Sequence, residues 1–237
     1  MIKHITKTII ITLLVCCTTF IAKAQLGYNF SQYDIGVAAG FNSVYGDAET
    51  IKTTESIHFN FTYNQTPYTN FVLEVQLGRL EGGDSLTTKS GRQFTNDFSS
   101  YIFRGQLQMG EIIDYSRNPL LNAAKNFYIS AGIGFVINHI TTINRNSLQV
   151  PGYYTGGETN SQEPFLPLRI GYEFKLFNTY GQPSFKVDLG YQYNYVFGDE
   201  LDGFKAGHRN DAYSQFTVGV KFAIGGGITS YRKQIPY

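Results

Sequence analysis

Between Ser184 and Phe197 the chain reads SFKVDLGYQYNYVF. Every second residue is apolar or aromatic: Phe185, Val187, Leu189, Tyr191, Tyr193, Tyr195 and Phe197. Lys186, Asp188, Gly190, Gln192 and Asn194 stand between them. Side chains on a strand alternate between two faces, so this strict period of two predicts a strand with one apolar and one wet face. The run is longer than the usual globular strand of about 5–6 residues. Aromatics toward its ends and charges on the opposite face suit a strand that crosses a bilayer in a barrel. Such a strand needs partners on both sides, because every backbone N–H and C=O inside a membrane must be paired within the protein.

Seven further segments repeat the alternation. Tyr33 to Asn42 sets Tyr33, Ile35, Val37 and Phe41 against Asp34, Gly36 and Gly40. Glu55 to Tyr63 sets Ile57, Phe59 and Phe61 against His58, Asn60 and Thr62. The others are Phe71 to Leu80, Phe98 to Ile112, Phe127 to Ile140, Phe165 to Leu176 and Ala212 to Ile224. Pro119 to Ala124, in the least clear connection, has room for one helical turn. Eight strands of about 9–14 residues match the length that a tilted membrane strand needs. Their count is even, and the connections run long, short, long, medium, long, short, long. The expected fold is all-β, an eight-stranded antiparallel up-and-down transmembrane β-barrel.

The N-terminus, MIKHITKTIIITLLVCCTTFIAKAQ, has a basic start at Lys3 and Lys7, an apolar stretch and a small-residue Ala22-Lys23-Ala24 site. This pattern predicts a secretory signal peptide cleaved after Ala24. The domain expectation is therefore a leader at 1–24, a barrel at 25–228 and a periplasmic tail at 229–237. Cys16 and Cys17 leave with the leader, which rules out a disulfide in the mature chain. Losing Lys3, Lys7 and Lys23 takes the bases from 19 to 16 against 18 acids. No basic footprint for nucleic acid remains.

The apolar face is almost free of charge. The opposite face carries Asp34, Glu74, Arg104, Arg169, Glu173, Lys175, Lys186, Asp188 and Lys221, four acids and five bases. A soluble barrel turns its apolar face inward; this distribution favours the inverse, with an ion-pair network filling a narrow lumen. Pairing the sixth and seventh strands about Tyr180-Gly181 opposes Glu173 to Asp188 and Lys175 to Lys186. Opposed like charges are unfavourable, so diagonal contacts, Glu173 with Lys186 or Lys175 with Asp188, are expected.

Chemistry-bearing motifs are sparse. His4, His58, His139 and His208 lack metal-ligand spacing, so no metal or cofactor is expected. Ser56 and His58, with Asp47 or Glu49 nearby, are the nearest thing to a nucleophile and base, and a polar strand end entering a loop is the simpler reading. Gly225-Gly226-Gly227 lacks the Lys and helix of a phosphate loop and reads as a flexible exit from the last strand.

Over the first half of the mature chain, short glycine-based motifs carry a resemblance. They are Tyr33-Asp34-Ile35-Gly36-Val37, Gly40, Tyr45-Gly46-Asp47, Gly78-Arg79-Leu80-Glu81-Gly82 with Asp84, and Tyr128, Gly132 and Gly134. The chain resembles small outer-membrane barrels of the OmpA/OmpX type, and more narrowly those associated with type IX secretion and gliding. The resemblance implies an outer-membrane location, a non-enzymatic structural or accessory role, and partners among membrane lipid, secretion-machinery proteins or cell-surface proteins. Two alternatives stay open: a lipid-modifying hydrolase with a rim-sited Ser/His pair, and a secreted soluble ligand-binding barrel.

Overall fold

A computed structural model describes residues 27–232, apart from 87, 89, 117, 148, 149, 151 and 207–209. The leader with its cleavage site, His4, Cys16, Cys17, His208 and the last five residues lie outside the described residues. The strands are β1 (Gly27–Tyr45), β2 (Thr53–Asn64), β3 (Thr69–Gly83), β4 (Gln93–Gln108), β5 (Phe127–Asn144), β6 (Asn160–Phe177), β7 (Pro183–Val196) and β8 (Ala212–Arg232). Each pairs antiparallel with the next, and β1 pairs with β8, so the sheet closes into a barrel. Closure leaves no strand edge unpaired, which a barrel in hydrocarbon requires.

Most strands run further than the alternation alone suggests. At their ends the outer face leaves the apolar belt, so backbone pairing continues where the hydrophobic period has stopped. β8 shows this best. Its pairing with β1 continues through Thr229↔Phe30 to Gly27↔Arg232, so residues 229–232 belong to the barrel wall rather than to a free tail. The glycine run does not end the strand. Ser31 pairs with Ile228 and Tyr33 with Ile224, leaving Gly225–Gly227 to bulge opposite Gln32 alone. Gly225 has φ of +89°, which a side chain would strain.

Two tight turns, β2–β3 and β6–β7, and the long β4–β5 connection join the strands at the end where β1 begins and β8 finishes, here the terminal end. The β4–β5 connection there holds a 3-10 turn at Met109–Glu111 and an α-helix, α1 (Pro119–Ala124). Asn118 caps it by accepting from the Leu120 N–H at 2.9 Å, and Pro119 costs nothing at the first helical position. Four loops crown the opposite, far end, and β5–β6 and β7–β8 are the longest of them.

The barrel interior is layered. At the terminal end Lys175 Nζ lies 4.7 Å from the Tyr68 ring centre, and Tyr68 meets Tyr115 edge-on. The middle is polar and charged. The far third holds an apolar cluster among further polar groups: Val44, Leu80, Phe94, Phe98, Ile102, Val136, Ile140, Phe165, Val196 and Tyr213 pack with Leu201 and Phe204. The last two belong to the β7–β8 loop, which folds down into the mouth. An interior of ions alone is therefore only part of the picture, because a hydrophobic plug fills the far end.

Candidate functional site

The nine charged residues that share one face in the sequence are all buried inside the barrel. The β6–β7 ladder opposes Glu173 to Asp188 and Lys175 to Lys186. Lys221, reaching across from β8, relieves the acid pair by lying 2.9 Å from Glu173 and 3.0 Å from Asp188. Lys186 lies 2.6 Å from Asp34 and 4.0 Å from Glu173. The other diagonal, Lys175 with Asp188, is not made. Lys175 instead donates to the Pro67 carbonyl and to Gln108 Oε1, each at 2.6 Å. Arg169 lies 3.4 Å from Asp188, and its Nε donates to Tyr128 Oη, which donates in turn to Asp188. Arg104 lies 2.8 Å from Glu74. Each charge thus faces an opposite charge or a polar partner, the condition for burying ions at tolerable cost.

A second arrangement joins this network. His58 Nε2 lies 2.8 Å from Ser56 Oγ, and His58 Nδ1 lies 3.2 Å from Glu74 Oε1. The acid beside the histidine is thus Glu74 on β3 rather than Asp47 or Glu49 of the β1–β2 loop. The connectivity matches a nucleophile, base and orienting acid, but a triad also needs room for a substrate carbonyl. A Cβ added to Gly40 would fall 2.5 Å from Ser56 Oγ, and one added to Gly78 would fall 2.4 Å from Ser56 Cβ. Ser56 is thus sandwiched where even a methyl group does not fit. It is 4% exposed and His58 0%. The Ser56 hydroxyl also reaches Asn42 Oδ1 at 3.0 Å, and Arg104 and Gln76 hold Glu74. Ser56, His58 and Glu74 are thus hydrogen-bonded within a polar cluster that leaves no free space beside the Ser56 hydroxyl.

Sequence reading missed the far-end loop cluster. Asp202 accepts from the Phe204 N–H at 2.9 Å and the Asp47 N–H at 2.7 Å, which pins the β7–β8 loop to the β1–β2 loop. Asp211 accepts from the Leu201 N–H at 2.9 Å. A Cβ on Gly46 would fall 2.5 Å from Asp202 and 2.7 Å from Asp211, so the β1–β2 loop approaches both carboxyls only because residue 46 lacks a side chain. Burial lifts both carboxyls above the usual range, and the neighbouring Asp202 charge lifts Asp211 further. Arg145 donates to the Gly203 carbonyl at 3.0 Å, and Arg92 lies 5.8 Å from the Phe204 ring centre. Among the described residues, no group of three or more His, Cys, Asp or Glu is placed to hold a metal ion. His139 points outward and meets Asn160 at 2.6 Å.

The outer wall is the converse of the lumen. Ile35, Ile57, Phe59, Leu73, Tyr101, Phe103, Ile129, Ile133, Ile170, Tyr191, Phe216 and Val218 are exposed, and they come from all eight strands' neighbourhood around the ring. Soluble monomers rarely expose a continuous apolar patch above a few hundred Å². A complete apolar belt around a core of buried ions suits hydrocarbon outside. The chain folds as a transmembrane β-barrel.

No protein-family model matches the chain, and no curated protein does. Solved structures with some likeness include Neisserial surface protein A, with a TM-score of 0.46, 12% identity, and coverage of 83% of this chain and 99% of that one. Ail, the attachment invasion locus protein of Yersinia pestis, gives 0.45 and 11%, covering 81% and 97%. The outer membrane protein OprG from Pseudomonas aeruginosa gives 0.38 and 10%, covering 86% and 98%. What puts this barrel in a bilayer is its own belt and lumen.

Proposed function

We propose that this chain is an outer-membrane protein that works without catalysis. It would be a rigid, sealed barrel that holds its far-end loops outside the cell as a binding surface. The filled lumen is the observation that carries this reading. Ion pairs occupy the middle, and Phe94, Phe98, Phe165, Phe204 and Tyr213 close the far end, leaving the loops and outer wall as the surfaces free to act. The export leader supports an outer-membrane location. With the terminal end in the periplasm, the two tight turns, β2–β3 and β6–β7, face inward together with the β4–β5 connection, and all four far-end loops face outward; tight turns inside suit bacterial barrels. The nine-residue network then serves to brace the barrel. Secretion-machinery or cell-surface proteins are the partner class to test first.

The test is co-purification from detergent-solubilised membranes, comparing the intact protein with one whose β5–β6 loop, residues 145–159, is replaced by a short glycine linker. A surface-binding role predicts a protein that is retained with the intact chain and lost with the linker. If both forms purify alone, the role is not recognition through that loop. A rim hydrolase has the Ser56–His58–Glu74 alignment in its favour and the packing around Ser56 against it. Ser56→Ala should leave the lipid composition of expressing cells unchanged by mass spectrometry; an altered acyl pattern would revive the enzyme.

A further inference from the structure

The barrel wall from β4 to β7 carries a groove. Gly105 on β4 pairs with Ala131 on β5, and Ala131 pairs with Leu168 on β6. The period of two puts these residues on the outer face, so two of the smallest side chains lie next to each other. A Cβ added to Gly105 would meet nothing within 4 Å. Around this low floor stand Leu107, Ile129, Leu168, Ile170, Tyr191 and Tyr193, bordering a depression of about 590 Å³ that is open on its outer side. That volume lies within the ~300–1,000 Å³ of ordinary small-molecule sites. Ser130 and Arg169 also border the space, but their polar atoms are engaged from the lumen side. Ser130 Oγ donates to the Gly105 carbonyl at 2.7 Å and Arg169 Nε to Tyr128 Oη at 2.8 Å. Beside the groove the β5–β6 ladder is interrupted between Ala131↔Leu168 and Gly134↔Phe165, where Pro167 has no N–H to give.

We propose that this groove seats one acyl chain of a membrane lipid. The proposal rests on the bilayer reading above, because the groove is continuous with the lipid-facing belt. Its walls are apolar, so a polar ligand there would lose hydration without compensation. A notch left empty in hydrocarbon would forfeit dispersion contacts along its whole lining, and a flexible chain can enter where a rigid wall cannot. The groove therefore orders one chain among the many that wet the barrel.

The test uses the full-length mature protein in vesicles of phospholipid that carries a photoactivatable diazirine along one acyl chain, with crosslinked peptides mapped by mass spectrometry. Crosslinks should concentrate on peptides spanning residues 101–109, 127–133 and 166–172. Gly105→Leu with Ala131→Leu fills the floor and should cut those crosslinks about tenfold, the effect of displacing roughly two buried methylenes. Ala39→Leu, at another small outward position, should change nothing. Heat-dependent mobility on a gel confirms that each variant is folded. Crosslinks spread evenly round the ring, or unaffected by the filled floor, overturn the groove and leave the membrane barrel intact. Crosslinks from the groove to a second copy of the chain overturn the acyl chain as its occupant. A folded protein with no crosslink on any face overturns both.

Discussion

Lys221 touches both members of the acid pair that the β6–β7 register forces together. Replacing it with Met keeps the volume and removes the charge, leaving Glu173 and Asp188 opposed in a dry interior. Breaking a buried ion pair from one side costs about 3–5 kcal/mol, and Lys221→Met should destabilise the barrel by that order in urea titrations followed by gel mobility. Adding Asp188→Asn should recover part of the loss, because the two sites share partners and their effects cannot add. A single variant indistinguishable from the parent would mean the pair is not braced through Lys221. At this scale the sequence was informative about faces and silent about contacts. Period two places Glu74, Arg104 and Lys221 on one side of the wall. It does not say that Glu74 meets His58 diagonally across β2 and β3, since that depends on the register between strands.

The eight strands were legible because each carries its own alternation, a local signal that needs no tertiary knowledge. Their far ends were not, since pairing there continues past the apolar belt. The plug was also hidden. Phe98, Phe165 and Tyr213 share the parity of the lumen ions, and their true partners Leu201 and Phe204 come from a loop with no periodicity. That loop gives an element-scale prediction. Asp202 and Asp211 are raised in the folded state by burial, so the seated loop binds more protons than the released one. Stability that depends on such groups is fullest at acidic pH and falls as pH rises from the ordinary carboxylate range through the raised values. Trypsin cleavage at the exposed Lys205 should therefore quicken between about pH 5 and pH 8, after correction for the enzyme's own pH profile. Asp211→Asn removes one of the two competing charges and should flatten that rise. A cleavage rate independent of pH would show that the carboxyls do not govern the loop.

For the whole molecule, a lumen filled from end to end predicts no steady current. In planar bilayers the parent protein should be electrically silent, and deleting residues 199–205 should allow at most small, flickering currents, because the ionic middle layer remains. Regular open steps from the parent protein would mean that the packed interior gives way in a membrane. The β8 continuation past Gly225–Gly227 belongs to this scale too. It closes the ring down to Gly27↔Arg232, so removing residues 228–232 should lower barrel stability rather than merely trim a tail.

The most direct test is where each face of the wall lies. Nitroxide labels placed singly at Phe103, Ile170 and Val218, with Cys16 and Cys17 absent, can be probed in vesicles for collisions with oxygen and with a water-soluble nickel chelate. The account predicts frequent oxygen and rare nickel collisions at all three, with labels at Leu86 and Tyr153 in the far-end loops showing the reverse. Nickel-accessible labels at Phe103, Ile170 and Val218 would put water where hydrocarbon belongs and contradict the transmembrane barrel.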